Sequence, residues 1–114
     1  MNHAVQGAYT EAKLDMAASM RWIGRLGMDE GIANHFSYAV PERDDNPAFL
    51  INPAGRQMRY LSASDLLLID EEKGDVLDGV GETDPSAWNI HGALHRAVPQ
   101  ARACLLYTSP SPRD

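Results

Sequence analysis

Cysteine is almost absent from this chain. The lone Cys104 excludes a disulfide framework and any cysteine-built zinc site. Long apolar runs are missing too, and nothing approaches the roughly 20 consecutive apolar residues that a membrane-spanning helix needs. Residues Met1–Thr10 lack the basic start and apolar stretch of a secretory signal, so a cytoplasmic protein is expected. Positive charge is scarce: Lys and Arg number 10 against 16 Asp and Glu, a net charge of −6. That balance argues against nucleic acid, which selects basic faces. No phosphate loop, dinucleotide fingerprint or Ser/His/Asp order occurs. What is present, 114 residues that are 44% apolar and 23% charged, suits one folded domain or part of one.

The final segment departs from that composition. Cys104–Asp114 turns Ser/Pro-rich just after an apolar stretch has begun. An in-frame reading of a transposase sequencing adapter yields such a string. Residues 104–114 are therefore read as an appended, non-native tail, and 1–103 as the front of a longer chain. On this reading the native part has no cysteine. Its charge is unaffected, because Arg113 and Asp114 cancel.

Periodicity predicts a mixed α/β organisation. Thr10–Gly27 reads as a helix with Thr10 as its N-cap, Met16, Met20 and Ile23 on its apolar stripe, and Leu14, Ala17 and Ala18 widening it. Gly27 suits the left-handed residue that closes such a helix. Met28–Asn34 reads as a turn around Gly31. His35–Val40 then alternates as a half-buried strand, with Phe36, Tyr38 and Val40 on one side and His35, Ser37 and Ala39 on the other. A charged loop, Pro41–Pro47, leads to a second strand at Ala48–Ile51, and the two can form a hairpin. Asn52-Pro-Ala-Gly55 is a turn. Ser62 can cap a short helical turn with Asp65 three residues on.

Leu66–Asp70 reads as a strand buried on both faces, Asp75-Val-Leu as its partner, and the acidic Asp70–Asp75 stretch between them as a solvated turn. Asp84 then caps a helix with Pro85 in its first position, ended by Pro99. Ala101–Leu106 is a further strand that runs into the tail. Helix, strands, helix, strand gives a layered α/β domain with many antiparallel neighbours.

Residues with chemical potential are few. His91 and His95 lie four apart on one helix face and could supply two imidazoles to a metal. The metalloprotease helix places a glutamate beside the first histidine, whereas Gly92 stands here. With no third ligand in view, hydrogen bonding against the sheet is the expected role. Asn34-His35 follows a glycine-bearing turn able to expose N–H groups to an anion. Gly55 marks another such turn or simply a tight one, with Arg56 and Arg59 beside it.

Four segments in order carry a resemblance. They are Gly27-Met-Asp-Glu-Gly-Ile-Ala-Asn-His-Phe-Ser37, Phe49-Leu-Ile-Asn-Pro-Ala-Gly55, Leu61-Ser-Ala-Ser-Asp-Leu-Leu-Leu-Ile-Asp70 and Ile90-His-Gly-Ala-Leu-His-Arg-Ala-Val-Pro99. Together they resemble the class II aldolase/adducin N-terminal domain family from about Glu11 to Ala103. The resemblance implies a three-layer α/β/α sandwich around a mostly antiparallel sheet. It also implies a divalent metal, usually zinc, held by three histidines, and a homo-oligomer, commonly a tetramer, acting on a small molecule. Two of those histidines would form a His-x-His pair just after Ala103, where Cys104–Tyr107 stands instead. None of the three is in this chain, so no metal is expected on it.

Sugar-phosphate aldolases of the family carry Gly-Asn where this chain has Asn34-His35, and Thr-Gly where it has Ala54-Gly55. They carry Ser-Ser-Glu where it has Pro85-Ser86-Ala87. That glutamate is their acid/base group, and Ala87 cannot move a proton. The chain therefore looks like the adducin-like bacterial branch, with Asn34, His35, Gly55 and Ser86 as matched substrate-pocket positions. Two functions follow as expectations for the parent protein: a metal-dependent lyase-like enzyme, or a non-catalytic binding or scaffold protein.

Overall fold

A computed structural model describes residues 3–28, 34–40 and 47–106, with the side chains of 3–8 and of Leu106 outside the description. The turn expected around Gly31, most of the charged loop before Ala48, and the tail from Tyr107 on lie outside the described residues.

The first helix, α1, spans His3–Arg25. It begins well before the expected start, so Thr10 lies inside the helix and does not cap it. Tyr9 carries the buried stripe past Thr10. Only 4% exposed, it joins Met16 and Met20 in one apolar cluster and adds two turns to the buried stripe. Leu14, expected to widen that stripe, is 57% exposed. The helix closes as predicted at Gly27 (φ +72°). The Met28 N–H donates to the Ile23 carbonyl at 2.9 Å and the Gly27 N–H to Gly24 at 3.1 Å, a Schellman closure.

Strands β1 (His35–Ala39), β2 (Ala48–Ile51), β3 (Leu67–Asp70), β4 (Val76–Asp78) and β5 (Ala103–Leu106) form one sheet in the order β4-β3-β2-β1-β5. Every neighbouring pair is antiparallel. Two 3₁₀ turns, Met58–Tyr60 and Ala63–Asp65, link β2 to β3, the second closed by the expected Ser62–Asp65 capping box. The second long helix, α2, covers Pro85–Ala97, with the Asp84 carboxylate accepting from the Ser86 N–H.

The layers follow from side-chain alternation. Leu50, Leu66 and Leu68 face α1 together with Phe36 and Tyr38, whereas Phe49, Ile51, Leu67 and Ile69 face α2 with Ala87 and Trp88. The residues predicted this layered α/β order with antiparallel neighbours, and the resemblance its α/β/α arrangement. The acidic turn differs from expectation. Asp70 and Glu71 are each only 7% exposed, because the Glu71 carbonyl accepts from Trp88 Nε1 and Arg96 Nη1 on α2.

Among the described residues β4 and β5 are the sheet edges. β4 is short and bulged and is tied to α1 by Lys13–Asp78 at 2.7 Å, whereas β5 presents a regular edge. An unprotected edge templates further pairing. Sedimentation of the 114-residue chain should therefore show concentration-dependent association, and a monodisperse monomer would contradict that expectation.

Candidate functional site

The register of β1 and β2 brings the predicted pocket positions to one end of the sheet. Ser37 pairs with Ile51, so the start of β1 lies beside the end of β2 and the turn after it. Asn52 fixes this corner. Its Oδ1 accepts from the Phe36 N–H at 2.9 Å, and its Nδ2 donates to the Asn34 carbonyl at 3.0 Å. A side-chain amide thus continues the ladder that the backbone would otherwise lose at Pro53, which has no N–H. Reading Asn52 as only a turn residue missed this role.

Gly55 sits in the turn with φ +78°, a conformation that favours glycine. The Ala54 N–H donates to the Glu82 carbonyl at 2.9 Å, which draws the turn towards the start of α2. Ser86 stands in the first turn of α2, and its N–H and hydroxyl both donate to Asp84 Oδ1, at 3.0 and 2.9 Å. These bonds hold the Asp84 carboxyl below the usual carboxylate range. Arg56, considered for anion binding, instead faces Asp65 at 3.3 Å, and Arg59 donates to the Gly24 carbonyl at 3.2 Å.

His35 is half-buried beside this corner. Desolvation lowers its pKa, with the Asp84 charge acting in the opposite direction. Its ring meets that of His91 edge-on, with centroids 5.7 Å apart.

Beneath His35 lies a buried network that sequence reasoning resolved only by half. Ser37 Oγ stands 2.5 Å from His91 Nδ1 and 2.8 Å from His95 Nε2. His95 Nδ1 is 2.9 Å from the Ala101 carbonyl. Burial lowers both imidazole pKa values, His91 to about 4, so both rings are neutral at pH 7. The protons can then be assigned. A carbonyl only accepts, so His95 Nδ1 carries its proton and Nε2 accepts. Ser37 donates to that nitrogen and in turn accepts from the His91 Nδ1–H. His91 Nε2 is left a bare acceptor, buried and without a hydrogen-bond partner among the described residues.

This arrangement does not seat a metal ion. Three of the four imidazole nitrogens on α2 are engaged within the network, and the remaining one, His91 Nε2, offers only a single lone pair. Among the described residues no three His, Cys, Asp or Glu side chains are grouped to hold a metal. Ser37 is fully buried, so the network orients α2 and His35 and exposes no nucleophile.

The profile of the Class II Aldolase and Adducin N-terminal domain matches residues 14–111. The aldolase class 2 protein PA3430 of Pseudomonas aeruginosa, whose name leaves its activity open, is 34% identical over 104 residues, 91% of this chain and 39% of its own length. Decarboxylase NovR of Streptomyces niveus is 30% identical over 94 residues, 82% of this chain and 34% of its own. The structure of L-fuculose 1-phosphate aldolase from Glaciozyma antarctica PI12 superposes with a TM-score of 0.77 at 29% identity, covering 89% of this chain and 41% of that one. The chain thus spans well under half the length of these relatives.

Proposed function

The chain belongs to the class II aldolase and adducin N-terminal domain family, and from that premise we propose that it is the front portion of a metal-dependent, lyase-like enzyme. Its substrate would be a small hydroxy- or oxo-acid or a sugar-derived molecule, and the enzyme would not be a standard sugar-phosphate aldolase. In this reading 1–103 is the native portion, and the metal, zinc by the family resemblance, takes its ligands from chain beyond Ala103. Bound there, it would polarise a substrate carbonyl.

The observation that carries the reading is the corner itself. Asn34, His35, Gly55 and Ser86 belong to elements that meet at one sheet end, while the position of the family's acid/base residue holds Ala87, fully buried against the sheet. Desolvation keeps His35 neutral at pH 7, so it offers a substrate hydroxyl or carbonyl a hydrogen bond rather than a full charge for a phosphate dianion. Relatives named as a decarboxylase and as an aldolase both break carbon–carbon bonds, which supports a lyase class for the parent.

Ala87 also motivates a second reading. With alanine at that one family position, and with adducin-related proteins among its relatives (33% identity over 97 residues in one from Schizosaccharomyces pombe), a binding or scaffold protein is the alternative for the parent.

The test uses the protein continued past Ala103 in its own reading frame, assayed for chelator-sensitive cleavage of 4-hydroxy-2-oxo acids. Turnover that falls about tenfold in His35→Ala, the loss of one hydrogen bond worth about 1.4 kcal/mol, supports the enzyme. A protein without metal or turnover supports the scaffold.

A further inference from the structure

We infer that the exposed face of α1 and the turn Met58–Tyr60 form an anion site for a small ligand carrying a di- or triphosphate. The site is a cleft of about 410 Å³ lined by Ala18, Arg21, Trp22, Arg25 and Arg59. That volume falls in the range of small-molecule pockets, roughly 300–1,000 Å³. Among the described residues three guanidinium groups line it and no carboxylate does, in a chain whose net charge is −6.

The concentration of charge is not incidental to the fold. Arg21 and Arg25 are four apart on one helix face, where like charges destabilise the helix. Neither has an ion pair among the described residues. Arg25 lies over the Trp22 ring, 5.6 Å from its centroid, and Trp22 is nevertheless 58% exposed.

The third arginine is held in place. Arg59 crosses α1 at Gly24, where a Cβ would come within 2.6 Å of the Arg59 Cβ, and it donates to the Gly24 carbonyl at 3.2 Å. Gly24 therefore admits the Arg59 stem against the helix, and Ala18 leaves room at the other end of the cleft. Guanidinium forks recognise phosphate oxygens in pairs, and an exposed indole accepts a sugar or ring face. A polyphosphate matches the two charges of Arg21 and Arg25 better than a single carboxylate does. The site lies on α1, apart from the corner at His35, and the inference does not depend on the proposed function.

The experiment titrates the 114-residue chain with inorganic pyrophosphate, read by tryptophan fluorescence and by calorimetry, against sodium chloride at matched ionic strength. Saturable binding is expected, weakened by tenfold or more in Arg21→Ala/Arg25→Ala, since each lost charged hydrogen bond costs about 1.5 kcal/mol or more. Alanine is a strong helix former, so the variant should keep the circular dichroism of the parent chain. The fluorescence change should vanish in Trp22→Phe while the calorimetric heat remains. A response reproduced by sodium chloride, or binding unchanged in the double variant, would overturn the site. So would a double variant that alters only the sedimentation of the chain, because the cleft would then be a contact between copies.

Discussion

Replacing Ser37 with alanine is expected to lower the unfolding free energy by about 3 kcal/mol, although only one hydroxyl is removed. That hydroxyl sits between His91 Nδ1 and His95 Nε2 with no exposure to solvent. Without it, a buried N–H donor and a buried nitrogen acceptor both lose their partners, at about 1–3 kcal/mol each. Ser86→Ala serves as the control. Ser86 is exposed and its hydroxyl only supplements a backbone bond to Asp84, so the change should stay within about 0.5 kcal/mol. Urea midpoints of the two variants provide the comparison. A Ser37→Ala loss no larger than that of Ser86→Ala would mean that the two helix histidines are not joined through this hydroxyl.

Acidification should be nearly as damaging. His91 has a folded pKa of about 4 against an ordinary 6.5, because burial disfavours the imidazolium and His35 and His95 add to the effect. The unfolded chain therefore binds more protons between these values. The stabilisation is complete above pH 6.5 and is lost as the pH falls towards 4, at about 1.4 kcal/mol per unit and about 3 kcal/mol in all. Desolvation depresses His35 and His95 in the same direction, so they steepen the loss. Glu71 opposes it: burial raises its carboxyl pKa, so its protonation favours the folded chain as the pH falls towards its ordinary 4.5. Urea midpoints measured from pH 7 to pH 4 should fall accordingly. The slope should flatten in His91→Gln, which cannot titrate. An equally steep slope in that variant would assign the acid loss elsewhere.

These expectations separate what the sequence made legible from what it did not. Local patterns were readable. Alternation located β1 and β2, Asp84-Pro85 marked the start of α2, and Gly27 marked the end of α1, because each depends on residues within one or two turns. The start of α1 was misread because Thr10 looks like a cap, while Tyr9, which carries the buried stripe past it, looks like any aromatic until its partners in the core are known.

The site was harder, since its bonds join distant residues. His91 and His95 stood out as a pair, but nothing local shows that Ser37, 54 residues before His91, lies between them. Asn52 likewise holds the backbone on either side of His35 only because β1 and β2 pair in one particular register. The strand order is equally non-local, with β5 lying beside β1 after three intervening strands and a helix.

The proposed function rests on the altered corner: Asn34, His35, Gly55 and Ser86 would line the substrate pocket beside Ala87, and the metal ligands would come from outside these residues. Elemental analysis of the protein continued past Ala103 in its own reading frame tests that most directly. One tightly held divalent metal per chain, lost when a His-x-His pair following Ala103 is replaced by alanine, is the predicted result. A continued chain without that pair, and without metal after dialysis, would contradict it.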